Sequence, residues 1–326
     1  MEFVANLEVL EAALQPPPAY EAPAHEDDLT PLPGLVLELD EPTVGGRNAV
    51  HRERLRRSRM VSRPVPPQNK QTHHAAVTNQ IGRRLIGADD QGQGAFTEAI
   101  TDTRAHPYSS VGKLTASFNG RYRHCTATVV AERVVMTAAH CVFARKTSTG
   151  QTAQFADWVT FEPGYNNGVS AGRWAGEATY IHSGWGNPQP GTNAGPFDYA
   201  FIRLDTPIAR VTGIASLVTD AAPQGPFTAL GYPRYPREGF RFDGRFLYAT
   251  TGKRIEYKGV GTIQAENGLT EGSSGGPWFT QTEYGPGVVG INSTKPAYGD
   301  DSTWSPIFSD SFQSLLARVL ADMTGT

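Results

Sequence analysis

The 326-residue sequence has no histidine after His182, no long apolar run and only two cysteines, Cys125 and Cys141. Because no apolar stretch is long enough to cross a bilayer, no membrane partner is predicted. The segment 1–14 alternates apolar with acidic residues and has no basic start. It therefore does not resemble a secretory signal peptide.

Glycine and proline are abundant, with 35 and 24 residues, and short apolar runs alternate with turn residues. This composition favours an all-β protein. The net charge of −3 is unevenly distributed. Residues 1–44 carry ten acidic side chains and no Lys or Arg, whereas residues 45–84 carry ten Lys plus Arg and one acidic residue, Glu53. An acidic segment and a basic segment thus precede a nearly neutral body.

Residues 1–84 are predicted to form a largely disordered leader, because proline, charge and small polar residues cannot build a core. The arginine-rich run 51–63 has the charge to bind nucleic acid or an acidic surface. It has no interleaved aromatic residues for base stacking, so we interpret it as a solvated linker and predict no nucleic-acid partner. Arg83 and Arg84 mark either a processing point or two surface arginines at a domain edge.

Residues 85–326 form the predicted body, which is typical of a β-barrel or sandwich. Ten segments bounded by turn residues predict strands: Val111–Phe118, Thr126–Val130, Arg133–Thr137, Trp158–Phe161, Ala200–Leu204, Phe227–Leu230, Arg245–Thr250, Gly259–Gln264, Pro277–Thr280 and Gly287–Asn292. Apolar residues from Phe312 to Met323 recur at helical spacing. They predict one amphipathic helix, capped by Ser309 or Asp310.

Ser274 stands out as a candidate nucleophile because it lies among three glycines in Gly272–Pro277, with the sequence GSSGGP. Glycines let the backbone turn sharply and leave N–H groups pointing outward, so such a serine can reach a substrate carbonyl. A flexible turn is the alternative interpretation.

The position of the histidines selects among hydrolase types. Gly272–Gly276 also fits the Gly-x-Ser-x-Gly elbow of α/β-hydrolases, which requires a histidine after the serine, and none follows His182. The subtilisin order of Asp, His and Ser requires alternating helices, which the pattern lacks. The order His, Asp, Ser remains.

His140 and Asp198 complete that order. His140 follows the apolar segment Val134–Ala139 and is expected at the end of a strand, where small residues leave the ring open to a cleft. Asp198 precedes the apolar strand Ala200–Leu204, so its carboxylate is expected to lie partly buried against the imidazole. Taken alone, His140 could instead be a structural histidine, and Asp198 could instead be a turn residue.

Together, the segments Thr137–Cys141 (TAAHC), Asp198–Leu204 (DYAFIRL) and Gly272–Pro277 resemble the three catalytic blocks of the chymotrypsin-like, trypsin-fold serine peptidases. The resemblance covers the chain from about Tyr108 to the C-terminus. A looser similarity, in Leu85–Asp90 and the following residues, is to the bacterial glutamyl-endopeptidase-like branch.

The resemblance implies two six-stranded antiparallel barrels with the catalytic cleft between them. By this resemblance, His140 and Asp198 are expected to come from the first barrel and Ser274 from the second. Ser274 is then expected to attack the scissile carbonyl while His140 accepts its proton and Asp198 orients the imidazole. The resemblance also implies an oxyanion hole formed by the backbone N–H groups of Gly272 and Ser274, and an acyl-enzyme intermediate.

The resemblance also implies a substrate-binding strand, Val289–Thr294, that pairs with the substrate backbone. The implied substrate-binding residues are Leu269, Asn292, Ser293 and Thr294. Gly268 stands where trypsin-like enzymes have an acidic residue, so a preference for Lys or Arg is unsupported. Asn292 and Leu269 stand where glutamyl-specific members carry His and a Ser or Thr, so a preference for glutamate is also unsupported.

The two cysteines are implied to form a disulfide, Cys125 to Cys141, beneath the catalytic histidine. His124-Cys125 and His140-Cys141 also have the residue types of a zinc site, but adjacent strand residues point to opposite faces. No metal or organic cofactor is therefore predicted. A disulfide favours an oxidising compartment, so a secreted or periplasmic location is expected.

The sequence thus predicts a serine endopeptidase that acts on protein or peptide substrates and is made as a zymogen with an N-terminal pro-segment. Two alternatives remain: a non-catalytic peptide-binding protein on the same fold, and an interaction protein that acts through its charged leader.

Overall fold

A computed structural model describes residues 95–145, 153–188, 193–219, 226–237, 239–255, 261–295 and 302–324, with the strand backbones of 35–39 and 84–86. The strands are β1 (Leu35–Leu39), β2 (Arg84–Ile86), β3 (Ala95–Ala99), β4 (Val111–Phe118), β5 (Arg121–Ala131), β6 (Val134–Thr137), β7 (Phe143–Ala144), β8 (Gln154–Phe155), β9 (Trp158–Pro163), β10 (Trp174–His182), β11 (Ala200–Leu204), β12 (Ser216–Leu217), β13 (Phe227–Gly231), β14 (Tyr248–Gly252), β15 (Arg254–Ile255), β16 (Thr262–Glu266), β17 (Pro277–Thr282), β18 (Gly285–Ile291) and β19 (Ser302–Pro306). The helices are α1 (Ala139–Val142), α2 (Ser183–Gly186), α3 (Ala209–Thr212) and α4 (Asp310–Thr324), with 3-10 turns at Tyr108–Ser110 and Gly195–Phe197.

Six strands of the first half close into an antiparallel barrel in the order β9, β4, β5, β6, β11, β10. The barrel closes where Trp174 and Ala175 of β10 pair with β9. β1 lies parallel to β10 at the edge of this sheet. Phe161, Phe201 and Ile202 are fully buried. The closed wall of strands gives the first barrel a rigid face on which a site can be built.

The second barrel is assembled from two sheets. In one sheet, β18, β17, β13 and β14 pair in that order. In the other, β15, which follows β14 in the chain, pairs with β16, and β16 pairs with β19. The ring closes just beyond β18, because Ser293 N–H donates to Trp304 O at 3.0 Å and Trp304 N–H donates to Thr294 O at 2.7 Å. β3 covers the free edge of β14. The core of the second barrel contains Phe227 and Trp278, whose rings stack with their centroids 5.6 Å apart.

The C-terminal helix α4 packs on the first barrel. Phe312 is fully buried between Tyr199 and Phe201, with ring centroids 5.1 and 5.2 Å away. At the far end, Asp322 accepts a hydrogen bond from the Tyr180 hydroxyl and lies 2.5 Å from Arg203 Nη1. No helix within the described ranges is both long and apolar enough to span a membrane.

The predicted fold class is confirmed: the protein is mostly β, with barrels and one C-terminal helix. β4 and β11 have the predicted ends, and α4 begins at Asp310. The position expected for His140 is wrong, because β6 ends at Thr137 and His140 lies within α1. The predicted disorder of the leader concerns residues that, apart from β1 and Arg84, lie outside the described ranges.

Candidate active site

His140 and Asp198 form a hydrogen-bonded pair on the first barrel. His140 Nδ1 lies 2.8 Å from Asp198 Oδ2, and the His140 backbone N–H donates to Asp198 Oδ1 at 2.9 Å. The Asp198 side chain is fully buried, whereas the His140 side chain is 28% exposed. An ionised carboxylate only accepts hydrogen bonds, so Nδ1 carries the proton and Nε2 is left as the basic nitrogen.

The pKa of Asp198 is lowered from its usual value by its surroundings. Burial alone raises the pKa of this carboxyl, but the facing His140 charge and the hydrogen bonds from His140 and Ser293 outweigh burial. Ser293 Oγ donates to Asp198 Oδ2 at 2.5 Å. The buried carboxylate is thereby held ionised, and it stabilises a positive charge on the imidazole.

A single helical turn and a 3-10 turn position the side chains of His140 and Asp198. β6 leads directly into the single turn α1, and His140 is only part-buried there, while the neighbouring Ala139 and Cys141 are buried. Arg123 Nη1 donates to the His140 carbonyl oxygen and fixes the turn from β5. Asp198 follows the 3-10 turn Gly195–Phe197 just before β11, the strand that pairs with β6. Adjacent strands therefore bring the pair together.

Ser274 is held against the same region by its backbone. Thr126 N–H of β5 donates to the Ser274 carbonyl oxygen at 2.8 Å, and Cys141 Sγ lies 3.7 Å from that oxygen. Gly275, at φ +80°, occupies the left-handed region, and a Cβ there would lie 2.0 Å from Thr137 Oγ1. Only glycine fits at this position, where the Ser274 loop of the second barrel lies directly against the first barrel.

The adjacent serines have different environments. Ser273 is 6% exposed, and its Oγ donates to the Thr270 carbonyl oxygen at 2.6 Å. Ser274 is only part-buried. Of the two hydroxyl groups, that of Ser274 is the one accessible for reaction.

Two backbone N–H groups of the Ser274 loop, those of Gly272 and Ser274, donate to no group in the described part of the chain. Gly272 has φ +97°, and a Cβ there would lie 2.5 Å from Tyr232 O. Two unpaired donors beside an accessible serine hydroxyl can bind a negatively charged oxygen.

The other residues singled out by the sequence lie around this loop. Leu269 and Asn292 are 1% and 2% exposed, Ser293 is part-buried and Thr294 is exposed. The Asn292 amide makes all its hydrogen bonds inside the protein. Their predicted contacts with substrate stay predictions.

Cys125 and Cys141 form a disulfide. Cys125 lies on β5, but Cys141 lies in α1 and not on a neighbouring strand, as the strand argument against a zinc site assumed. His140 lies close enough to both sulfur atoms to suggest a metal site. Sulfur atoms joined in a disulfide are not thiolates, so this group does not have the ligands of a zinc centre.

Sequence reasoning missed two contacts of the site. The first is the Ser293 hydroxyl on Asp198. The second is Thr126, whose Oγ1 accepts from Tyr232 N–H at 3.0 Å and donates to Gly272 O at 2.9 Å, so one hydroxyl joins the barrels. Neither residue belongs to a motif that the sequence singled out for this role, and nothing in the local pattern signals it.

Comparison with known proteins agrees with this geometry. The model of the Trypsin family matches residues 100–317. No curated protein matches the chain. Among solved structures, the thermostable serine protease AL20 from an extremophilic microorganism is 28% identical, with a TM-score of 0.55 over 65% of this chain and 96% of its own.

Two further solved structures share the fold. The protease Anisep from Arthrobacter nicotinovorans is 23% identical, with a TM-score of 0.57 over 69% of this chain and 99% of its own. A Glu endopeptidase in complex with MPD is 22% identical, with a TM-score of 0.57 over 73% of this chain and 100% of its own. Since the family match spans more than half of the sequence, the chain belongs to the trypsin family and is a serine-type endopeptidase.

Proposed function

We propose that this endopeptidase hydrolyses peptide bonds through Ser274, His140 and Asp198, with an acyl-enzyme intermediate. The observation that carries the proposal is the buried, ionised Asp198 bonded to His140 Nδ1, which leaves Nε2 free to act as a base. The protein or peptide substrate lies between the barrels.

In the first half of the reaction, Ser274 Oγ attacks the scissile carbonyl carbon while His140 Nε2 takes the hydroxyl proton. The carbonyl oxygen becomes an oxyanion and accepts hydrogen bonds from Gly272 N–H and Ser274 N–H. When the carbon–nitrogen bond breaks, His140 gives its proton to the leaving amine and an ester to Ser274 remains. In related chemistry, loss of one oxyanion donor costs about 3 to 4 kcal/mol.

In the second half, water replaces the amine. His140 takes a proton from water as the oxygen attacks the ester carbon, and the tetrahedral intermediate forms in the same oxyanion site. Collapse breaks the bond to Ser274 Oγ, which takes the proton back from His140, and the acid product leaves. Throughout, Asp198 stabilises the transient imidazolium without accepting its proton.

The substrate is proposed to bind as an added strand beside the end of β18. Ser293 and Thr294 extend that strand, and their backbone already pairs with Trp304 on one side. Thr294 is exposed. An extended peptide on the opposite side places its scissile bond near the Ser274 loop.

The domain arrangement is proposed to be that of an exported zymogen, with a pro-segment at 1–84 and the peptidase domain at 85–326. The disulfide supports an oxidising destination. Mass spectrometry of the protein from its natural source is expected to find a mature first residue between positions 79 and 103. A full-length chain with full activity would contradict the pro-segment.

Cleavage of fluorescein-labelled casein tests the catalytic proposal. We expect Ser274→Ala and His140→Ala to lose nearly all activity, while the neighbouring Ser273→Ala, the matched control, stays active. Equal activity of Ser274→Ala and wild type would refute the assigned roles, and an inactive wild type, with and without residues 1–84, would refute the function.

A further inference from the structure

We infer that Asn292 is a positioning residue that aims the Ser274 N–H into the oxyanion hole. The inference rests on the proposed function of Ser274. It assigns Asn292 a role different from the direct substrate contact that the sequence predicts, because the amide faces the underside of the catalytic loop.

The Asn292 amide uses every hydrogen bond it can make. Its Nδ2 donates to Leu230 O at 2.9 Å and to Ser273 O at 3.0 Å. Its Oδ1 accepts from Asn267 Nδ2 and from Trp278 Nε1, both at 2.7 Å. Since the side chain is 2% exposed and four partners surround it, the amide has one orientation.

The Ser273 carbonyl is the atom through which this orientation acts. It accepts from Asn292 Nδ2 and also from Gly276 N–H at 2.9 Å. The Ser273–Ser274 peptide is trans, so its N–H points opposite to its C=O. Two donors that hold the carbonyl inward therefore hold the Ser274 N–H outward, where it has no partner in the described residues.

The direction of the second oxyanion donor, Gly272 N–H, is fixed by a backbone hydrogen bond. The Glu271 carbonyl accepts from Arg234 N–H at 2.8 Å, so the following Gly272 N–H points the other way. Of the two peptides that supply the oxyanion hole, only Ser273–Ser274 is held by a side chain among the residues that the structure describes. Mutation of that side chain therefore tests preorganisation without removing a backbone donor.

The main test compares Asn292→Asp with wild type on fluorescein-casein. Aspartate keeps the shape and both acceptor contacts, but it has no N–H to donate to the Ser273 and Leu230 carbonyls. We expect kcat to fall about 10- to 100-fold, less than for loss of a whole oxyanion donor because the Gly276 N–H remains, with KM within about twofold. The rate of fluorophosphonate labelling should fall in parallel, because the phosphoryl oxygen occupies the same site.

Two further variants separate positioning from stability. Thr250→Val removes a buried hydroxyl pair with Thr97, 2.7 Å long, elsewhere in the second barrel, and it should lower stability without changing kcat. If Asn292→Asp does not fold, Asn292→Leu is measured in its place, because leucine has the same branched outline. A kcat equal to that of Thr250→Val, or a change confined to KM, overturns the inference.

A crystal structure of a variant distinguishes failure of this inference from failure of the proposed function. In a crystal structure of Asn292→Leu, the Ser273–Ser274 peptide is expected to rotate partly, so that the Ser274 N–H turns from its wild-type direction while the Gly276 N–H still holds the Ser273 carbonyl. An unmoved peptide overturns the positioning role whatever the activity. An inactive wild type with a rotated peptide in the variant overturns only the catalytic function and supports the positioning role.

Discussion

At the residue scale, the site depends on which atoms are already bonded. Asp198 Oδ2 accepts from both His140 and Ser293, so the carboxylate is held by the second barrel as well as the first. Ser273 has its hydroxyl bonded, while its neighbour Ser274 is part-exposed. The motif around Ser274 is visible in the sequence, but the two bonds to Asp198 join residues distant in the chain and follow no local pattern.

Asp198→Asn tests the tautomer argument. The amide side chain can donate toward His140 Nδ1, which favours the proton on Nε2 and leaves no base facing Ser274. We expect kcat to fall by about 10⁴ in a variant that still folds. Steady-state cleavage of casein measures the rate, and a cooperative thermal unfolding transition checks the fold. A fall of less than about tenfold would contradict the role given to Asp198.

The pH dependence of stability follows from the lowered pKa of Asp198. The unfolded carboxyl, with a pKa of about 3.9, binds a proton that the folded carboxylate resists. Its contribution to stability is therefore present above that pH and is lost as the pH falls through the folded pKa. In urea unfolding, wild type should lose more free energy of unfolding than Asp198→Asn between pH 5 and pH 3. Parallel losses would contradict the assignment.

At the scale of elements, apolar content alone did not decide which strands were predictable. β11 (AFIRL) is mostly apolar and was predicted with the right ends, and so was β4 (VGKLTASF), although it contains a glycine and a lysine. β10 (WAGEATYIH), which contains a glycine and a glutamate, was missed, and pairing on both of its edges makes it a strand. The short turn α1 was also missed, because the apolar run before His140 continues through it.

The C-terminal helix provides an element-scale prediction. Phe312→Ala removes a ring packed against Tyr199, Phe201 and Phe308, the last at 4.0 Å. The cavity should lower the free energy of unfolding by about 3 to 5 kcal/mol. Activity per folded molecule should be largely retained, because α4 packs on β10 and β11 of the first barrel. Arg318→Ala is the exposed control on the same helix and should cost less than about 0.5 kcal/mol.

A large loss of specific activity in folded Phe312→Ala would show that the helix also supports the site. Loss of stability equal to that of Arg318→Ala would show instead that α4 is not packed as described.

At the scale of the whole molecule, the site exists because two barrels meet. Thr126 of the first barrel bonds Gly272 and Ser274 of the second, and Ser293 of the second bonds Asp198 of the first. The sequence predicted the contribution of each barrel through the family resemblance. It did not predict these hydrogen bonds between the barrels, which fix Ser274 of the second barrel relative to His140 of the first.

The beginning of the folded domain gives a whole-molecule prediction. β3 pairs with β14, and Thr97 Oγ1 lies 2.7 Å from Thr250 Oγ1 in the buried interior. A chain that starts at residue 85 keeps this strand, whereas a chain that starts at residue 100, where the family match begins, loses it. The shorter chain should be less stable by at least about 2 kcal/mol from the lost hydrogen bonds.

Urea unfolding of the two chains, expressed in an oxidising compartment, measures the difference. Equal stability would mean that β3 is dispensable and that the folded unit begins at residue 100.

The central claim is that Ser274 is the nucleophile activated by His140. Its most direct measurement is fluorophosphonate labelling followed by peptide mapping in wild type, Ser273→Ala and His140→Ala. We expect a single adduct on Ser274 in wild type and Ser273→Ala, and almost none in His140→Ala. An adduct on Ser273, labelling that does not depend on His140, or casein cleavage without any adduct on Ser274 would contradict the account.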